Sequence, residues 1–220
     1  MQYSELQTTT NFCFLRGASS PEELFATAAE MGMPALGVTD RNSVAGLVRS
    51  LYATEEIKRD QGIDIRLIVG CRLDLVTGAS LLVWPEDLAA WSRLVKLLTR
   101  GNARADTQHG EKGRCFLHWE DVASHADGLV ASLVPDLDGA GETELRWMAD
   151  IFGADRGHVC LTHLRRPGDA KRLHALTAEA RRFGLTPLAT GDVLYHHPDR
   201  RRLQDVVSAI REKRTIDTLG

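Results

Sequence analysis

The sequence predicts an α/β protein whose largely parallel sheet closes into a barrel, and three observations carry that prediction. Short apolar runs of strand length alternate with stretches of helical period almost from end to end. About seven such runs are present, the number that a small barrel needs. No composition break or linker divides the chain, so residues 1–220 read as a single domain. With 220 residues, 43% of them hydrophobic, such a domain buries roughly 70% of the surface its unfolded chain would expose. No disulfide or metal staple is then needed.

Taken in order, Ser20-Pro21-Glu22-Glu23 starts a helix, with a capping hydroxyl, proline in the first turn and acids at the positive end of the dipole. Leu24, Ala28 and Met31 lie on one face of it, and Gly32 stands near its end, where a C-cap belongs. Ala35 to Thr39 reads as a buried strand leading to Asp40, and Ser43 to Arg59 as the next helix. Ile65 to Val69 and Leu73 to Val76 flank Gly70, and Ser80 to Trp84 is another apolar run. Glu86 to Thr99 repeats Leu88, Trp91, Leu94, Val95 and Leu98 at helical spacing. Arg100 to Arg114 has three glycines and no periodicity, the pattern of a long mobile loop. Leu129 to Val134, Val159 to Leu161 and Pro187 to Thr190 complete the strands. Helices are expected near Glu142 to Phe152, Asp169 to Phe183 and Arg201 to Lys213. The C-terminal KRTIDTLG carries no closing signal, so a longer polypeptide is expected.

Charge and cysteine usage exclude several classes. The 27 basic and 30 acidic residues give a net charge of -3, without the excess of a free-standing DNA-binding module. Cys13, Cys71, Cys115 and Cys160 form no CxxC pair, so reduced thiols in a cytoplasmic protein are expected rather than a zinc knuckle or disulfide framework. No apolar run approaches the ~18 residues of a membrane span. The nucleotide-binding and hydrolase motifs GxGxxG, Walker A and GxSxG are missing.

The eight histidines form no HxH or HExxH pair, and neighbouring His196 and His197 would point to opposite faces of a strand. Asp40 and Asp192 are better candidates. Each follows a short apolar run and so stands at the C-terminal end of a strand, the active face of a parallel barrel. Either could instead cap the following turn. Arg200, Arg201 and Arg202 form a basic cluster suited to DNA phosphates or a protein partner, or else to a solvated helix face.

Three longer matches add a family. Tyr3-Ser4-Glu5-Leu6 followed by Asn11-Phe12-Cys13-Phe14-Leu15-Arg16-Gly17-Ala18-Ser19 is the first, and Val38-Thr39-Asp40-Arg41-Asn42-Ser43-Val44-Ala45-Gly46-Leu47-Val48-Arg49 the second. The third is Ala189-Thr190-Gly191-Asp192-Val193-Leu194-Tyr195-His196, with Arg202-Leu203-Gln204-Asp205-Val206 after it. Together they resemble the N-terminal PHP (polymerase and histidinol phosphatase) domain of error-prone bacterial C-family polymerases. The resemblance covers nearly the whole chain. It implies a distorted (β/α)7 barrel of the PHP type at the front of a much longer polymerase.

The resemblance also implies a metal-ligand set, and this sequence departs from it. The first-strand His-x-His pair falls on Gln7 and Thr9, the Asp-His after the second strand on Asp40-Arg41, a glutamate on Arg72, and the closing Asp-x-His on Asp192-Val193-Leu194. Only the carboxylates Asp40 and Asp192 remain. Arg41 and Arg72 would put permanent positive charge where cations would stand. The expectation is therefore a domain with no catalytic residues and no bound metal, whose mouth is cross-linked by ion pairs of Arg41 and Arg72 with Asp40 and Asp192.

In the longer chain the resemblance implies template-directed, damage-tolerant DNA synthesis and DNA repair, with Mg ions held by a polymerase module outside these residues. The implied partners are the rest of the polymerase chain, DNA, accessory mutagenesis factors and a sliding clamp, with no membrane. Two alternatives stand beside this reading. One is a metal-dependent phosphoesterase or 3′–5′ exonuclease using Asp40, Asp192 and nearby histidines. The other is a module that docks accessory factors through Arg200 to Arg202 or the 100–114 stretch.

Overall fold

The computed structural model describes residues 3–110, 113–136 and 139–218. The first elements are β1 (Glu5–Thr8), α1 (Pro21–Glu30), β2 (Ala35–Val38), α2 (Leu47–Gln61), β3 (Arg66–Val69), β4 (Cys71–Asp74) and β5 (Ser80–Pro85). They are followed by α3 (Leu88–His109), α4 (Trp119–Ala123), β6 (Leu129–Val134), α5 (Glu142–Arg156) and β7 (Gly157–Thr162). The chain then forms α6 (Asp169–Arg182), β8 (Thr186–Thr190) and α7 (Arg201–Glu212). It divides into two compact units, Met1–Cys71 with Gly191–Gly220, and Arg72–Thr190.

The first unit is built on the parallel sheet β1-β2-β3. Its helix α1 starts as its sequence dictates. The Ser20 hydroxyl accepts from the Glu23 amide and the Glu23 carboxylate accepts from the Ser20 amide, satisfying two N-terminal donors reciprocally. Leu24, Phe25, Ala28 and Ala29 form its buried face. Phe25 has no exposed surface, and burying such a side chain stabilises by about 2–3 kcal/mol. Helix α2 is in contact with α1, buries Leu47, Ala53 and Ile57, and ends at the left-handed Gly62.

The second unit carries the sheet ordered β4-β5-β6-β7-β8, in which β5 and β6 are antiparallel while β6-β7 and β7-β8 are parallel. Leu81, Leu82 and Val83 of β5 are all fully buried. Both faces of that strand are therefore covered, which explains its unbroken apolar run. Helix α5 bends at Gly153, whose φ of 64° breaks helical geometry just past Phe152.

Eight strands are present where about seven apolar runs were expected, and among the described residues they form a three-stranded and a five-stranded sheet of an α/β fold with mixed sheets. The eighth is β1, a short polar strand. A tight turn joins β4 and β5, where the Leu75 amide donates to Ala79 and the Gly78 amide to Leu75.

One expectation is corrected: the 100–114 stretch, expected as a loop, is helical through His109 as the end of α3. Glu111 and Lys112 lie outside the described residues. Gly101 is a packing glycine within that helix, where a Cβ would come within 2.5 Å of Cys115 Sγ and 2.8 Å of Leu117. Arg104 is likewise anchored, donating to both oxygens of buried Asp121 at 2.6 and 2.9 Å. Polar residues that read as a solvated loop are tertiary anchors.

Candidate functional site

In the first unit, β1 leads into the run Thr8-Thr9-Thr10, all of it buried although polar. The run is held by backbone bonds on both sides. The Thr39 amide donates to Thr8 O at 2.8 Å, the Thr9 amide to Val193 O at 2.9 Å, and the Val193 amide to Gln7 O at 2.9 Å. The segments carrying Asp40 and Asp192 therefore lie on either side of the end of β1.

Asp40 is 1% exposed. Its Oδ1 accepts from the Thr10 amide at 2.7 Å and its Oδ2 from the Thr10 hydroxyl at 2.8 Å. Gly46 closes over the pair, since a Cβ there would fall 2.6 Å from Asp40 Oδ2 and 2.7 Å from Thr10 Oγ1. Burial raises the Asp40 carboxyl from 3.8 to about 6, against the pull of the two Thr10 bonds. Two buried thiols pin the same turn, Cys71 Sγ donating to Asp40 O and Cys13 Sγ accepting from the Arg41 amide, both at 3.4 Å. Desolvation pushes the Cys13 thiol up, away from reactivity.

Asp192 adopts a left-handed backbone, φ 49°, which aspartate tolerates better than most residues. Its Oδ1 accepts from the Gln7 side-chain amide at 2.8 Å. Gln7 thus donates from a position where the family resemblance implies a metal ligand. Thr9 is 3% exposed, and Leu194 contributes its backbone carbonyl, which accepts from the Ala18 amide at 2.8 Å.

Of the residues expected to form ion pairs, Asp40 has both carboxylate oxygens engaged by Thr10, through a backbone and a hydroxyl donor. Arg72 belongs to the other unit, where it donates to Asp74 at 3.3 Å and to Ser80 at 3.1 Å across the β4-β5 turn. Of the basic cluster, Arg200 pairs with Glu23 of α1, while Arg201 reaches Asp205 at 3.9 Å and Arg202 is exposed. His196 shares a bond of 2.8 Å between its Nδ1 and the Ser19 hydroxyl, and stands 3.8 Å from Glu23. With Ser19 and Glu23 both on Nδ1, this is a clasp between two loops rather than a nucleophile and its base.

These residues do not fit a multinuclear metal centre. Among the described residues no three His, Cys, Asp or Glu side chains converge as ligands. Gln7 directs a donor, not a lone pair, at Asp192, and Asp40 is enclosed by Thr10 and Gly46. Thr10, Gly46 and the Gln7-Asp192 bond were beyond sequence reasoning. The one hint was a run of three threonines where an apolar strand residue would be ordinary.

The fold and the placement of these carboxylates define a class. The PHP domain model matches residues 5–183, and the chain belongs to that family. More particularly, it is 51% identical over 221 aligned residues to error-prone DNA polymerase 2 of Agrobacterium fabrum, a match covering all of this chain and 19% of that protein. It is 52% identical to error-prone DNA polymerase 2 of Rhizobium meliloti, with the same coverage. The chain thus spans about a fifth of the length of these relatives. In fold it is similar to a Bifidobacterium adolescentis protein described as a metal-dependent phosphoesterase, with a TM-score of 0.63, 13% identity, and coverage of 94% of this chain and 96% of that one. No helix among the described residues is long and apolar enough to cross a membrane.

Proposed function

We propose that this chain is the PHP portion of a longer error-prone DNA polymerase and acts there as a metal-free scaffold. The observation that carries the scaffold reading is the way its two remaining acidic positions are used. Asp40 is consumed by Thr10 and Asp192 accepts from the neutral amide of Gln7, so hydrogen bonds tie together the segments that a metal cluster would otherwise join. A charge-assisted hydrogen bond contributes about 1.5–3 kcal/mol, enough to hold the strand ends without a cation. Arg41 beside Asp40 adds positive charge that cannot be released to admit one.

The identity to error-prone polymerases supports the larger reading. Nucleotidyl transfer, damage-tolerant synthesis and repair would belong to a module outside these residues, where two Mg ions on carboxylates activate the attacking and leaving oxygens. The rest of that chain and the DNA it holds are then the partners, with accessory mutagenesis factors and a sliding clamp acting on the whole polymerase.

The test has two arms. The natural full-length protein should extend a primer with Mg present. The 220-residue chain, supplied with Mn or Zn, should show no chelator-sensitive hydrolysis of a phosphodiester or of a single-stranded 3′ end. Hydrolysis abolished by chelator and by Asp40→Asn and Asp192→Asn would overturn the scaffold reading in favour of a phosphoesterase or exonuclease. A natural protein that ends near residue 220 would overturn the polymerase reading.

A further inference from the structure

Helix α7 is amphipathic with its apolar side turned outward. Its buried positions are Gln204 and Ala209, with Asp205, Val207 and Ser208 half-buried beside them. Leu203, Val206 and Ile210, spaced i, i+3 and i+7 on one stripe, are 41%, 38% and 57% exposed. A surface helix of an isolated domain has the opposite arrangement. Polar anchors hold α7 in this orientation. Gln204 Nε2 donates to Arg16 O at 2.9 Å and Arg211 to Leu15 O at 3.0 Å, tying the helix to the loop after β1.

The apolar surface continues into that loop. Phe14 is 84% exposed between Cys13 and Leu15, and Leu15 itself is held at φ 57°. Phe12, 43% exposed, lies against the start of α2, its Cβ 3.5 Å from where a Gly46 Cβ would stand. Beyond it α2 exposes Val48, Leu51 and Tyr52 by half or more. Single exposed apolar residues are ordinary, but a stripe anchored outward and joined to an exposed aromatic loop marks an interface.

We infer that this face, α7 with the loop after β1 and the start of α2, is where the domain packs against the remainder of its own polymerase chain. The inference rests on the polymerase reading above. Length selects the occupant: relatives that match this chain from end to end devote only 19% of their residues to it. About four-fifths of such a protein therefore has to be attached to this domain, and an interface within one chain is the least costly in association entropy. The exposed cations Arg201, Arg202, Lys213 and Arg214 around the stripe call for an acidic rim on the covering surface and disfavour a second copy of the same basic helix.

The test is made on the natural full-length protein carrying a photoreactive benzophenone side chain at Val206, with Lys58 on the exposed side of α2 as control. Irradiation should link position 206 to residues beyond 220 of the same chain, in material that stays monomeric, whereas position 58 should give no such link. Links from 206 to a second copy, or none at all, would overturn the inference. Independently, Leu203→Gln, Val206→Gln and Ile210→Gln together should speed amide exchange in α7 by about tenfold in the full-length protein, and unchanged exchange would count against docking. A long chain that extends primers but yields no link at 206 sinks the docking surface alone. A natural protein lacking further polypeptide, or primer extension, sinks the polymerase reading instead.

Discussion

Replacing Asp40 with asparagine should stabilise the chain at neutral and higher pH, and not in acid. The carboxyl is 1% exposed and raised from 3.8 to about 6, so the folded state holds its proton more tightly than the unfolded state does. The stabilisation from that proton is fully present below about pH 4 and is lost as pH rises through 6. At about 1.4 kcal/mol per pH unit, the wild-type chain gives up about 3 kcal/mol between pH 4 and pH 8 on this group alone. Asparagine keeps the contact geometry, since its oxygen accepts from the Thr10 amide and its nitrogen donates to the Thr10 hydroxyl, while no charge is buried. Buried Glu5, also raised by burial, is common to both proteins and cancels in the difference. Urea unfolding of wild type and Asp40→Asn at pH 4, 6 and 8 measures the effect. The stability difference should move by about 3 kcal/mol in favour of the variant across that range. A difference independent of pH would refute the claim that Asp40 is a desolvated carboxylate that holds its proton more tightly in the folded state.

Two further substitutions probe the same hydrogen bonds. Gln7→Glu would face Asp192 with a second carboxylate in a position 1% exposed and should cost about 3 kcal/mol at pH 8, less at pH 4 where protonation relieves the repulsion, as read by thermal melting. Gly46→Ala would place a methyl 2.6 Å from Asp40 Oδ2 and should lower stability by about 1–3 kcal/mol in urea unfolding. No loss would show that the turn is not closed over the carboxylate.

Local chemistry made part of this molecule legible in its sequence. Ser20 and Glu23 announced the start of α1 because a helix cap depends only on residues three apart. The apolar runs of β5 and β6 marked them as strands. Where long-range contacts decide, reading failed. The pattern of Glu5-Leu6-Gln7-Thr8 does not itself read as a strand, since pairing with β2 and with Val193 supplies the stability that its side chains do not. Only the family resemblance placed one there. Gly101 and Arg104 looked like loop residues until Cys115, Leu117 and Asp121 stood beside them. At the site, the positions of Asp40 and Asp192 followed from strand ends, but their partners did not. Thr10 lies thirty residues from Asp40, and Gln7 on the opposite side of the sequence from Asp192.

The central claim is that hydrogen bonds from Thr10 and Gln7 take the place of metal ligation in this PHP domain. Elemental mass spectrometry of the purified chain, grown with zinc and manganese supplied and never exposed to chelator, tests it most directly. The account predicts no stoichiometric transition metal. One or more metal ions per chain, lost on Asp40→Asn or Asp192→Asn, would contradict it.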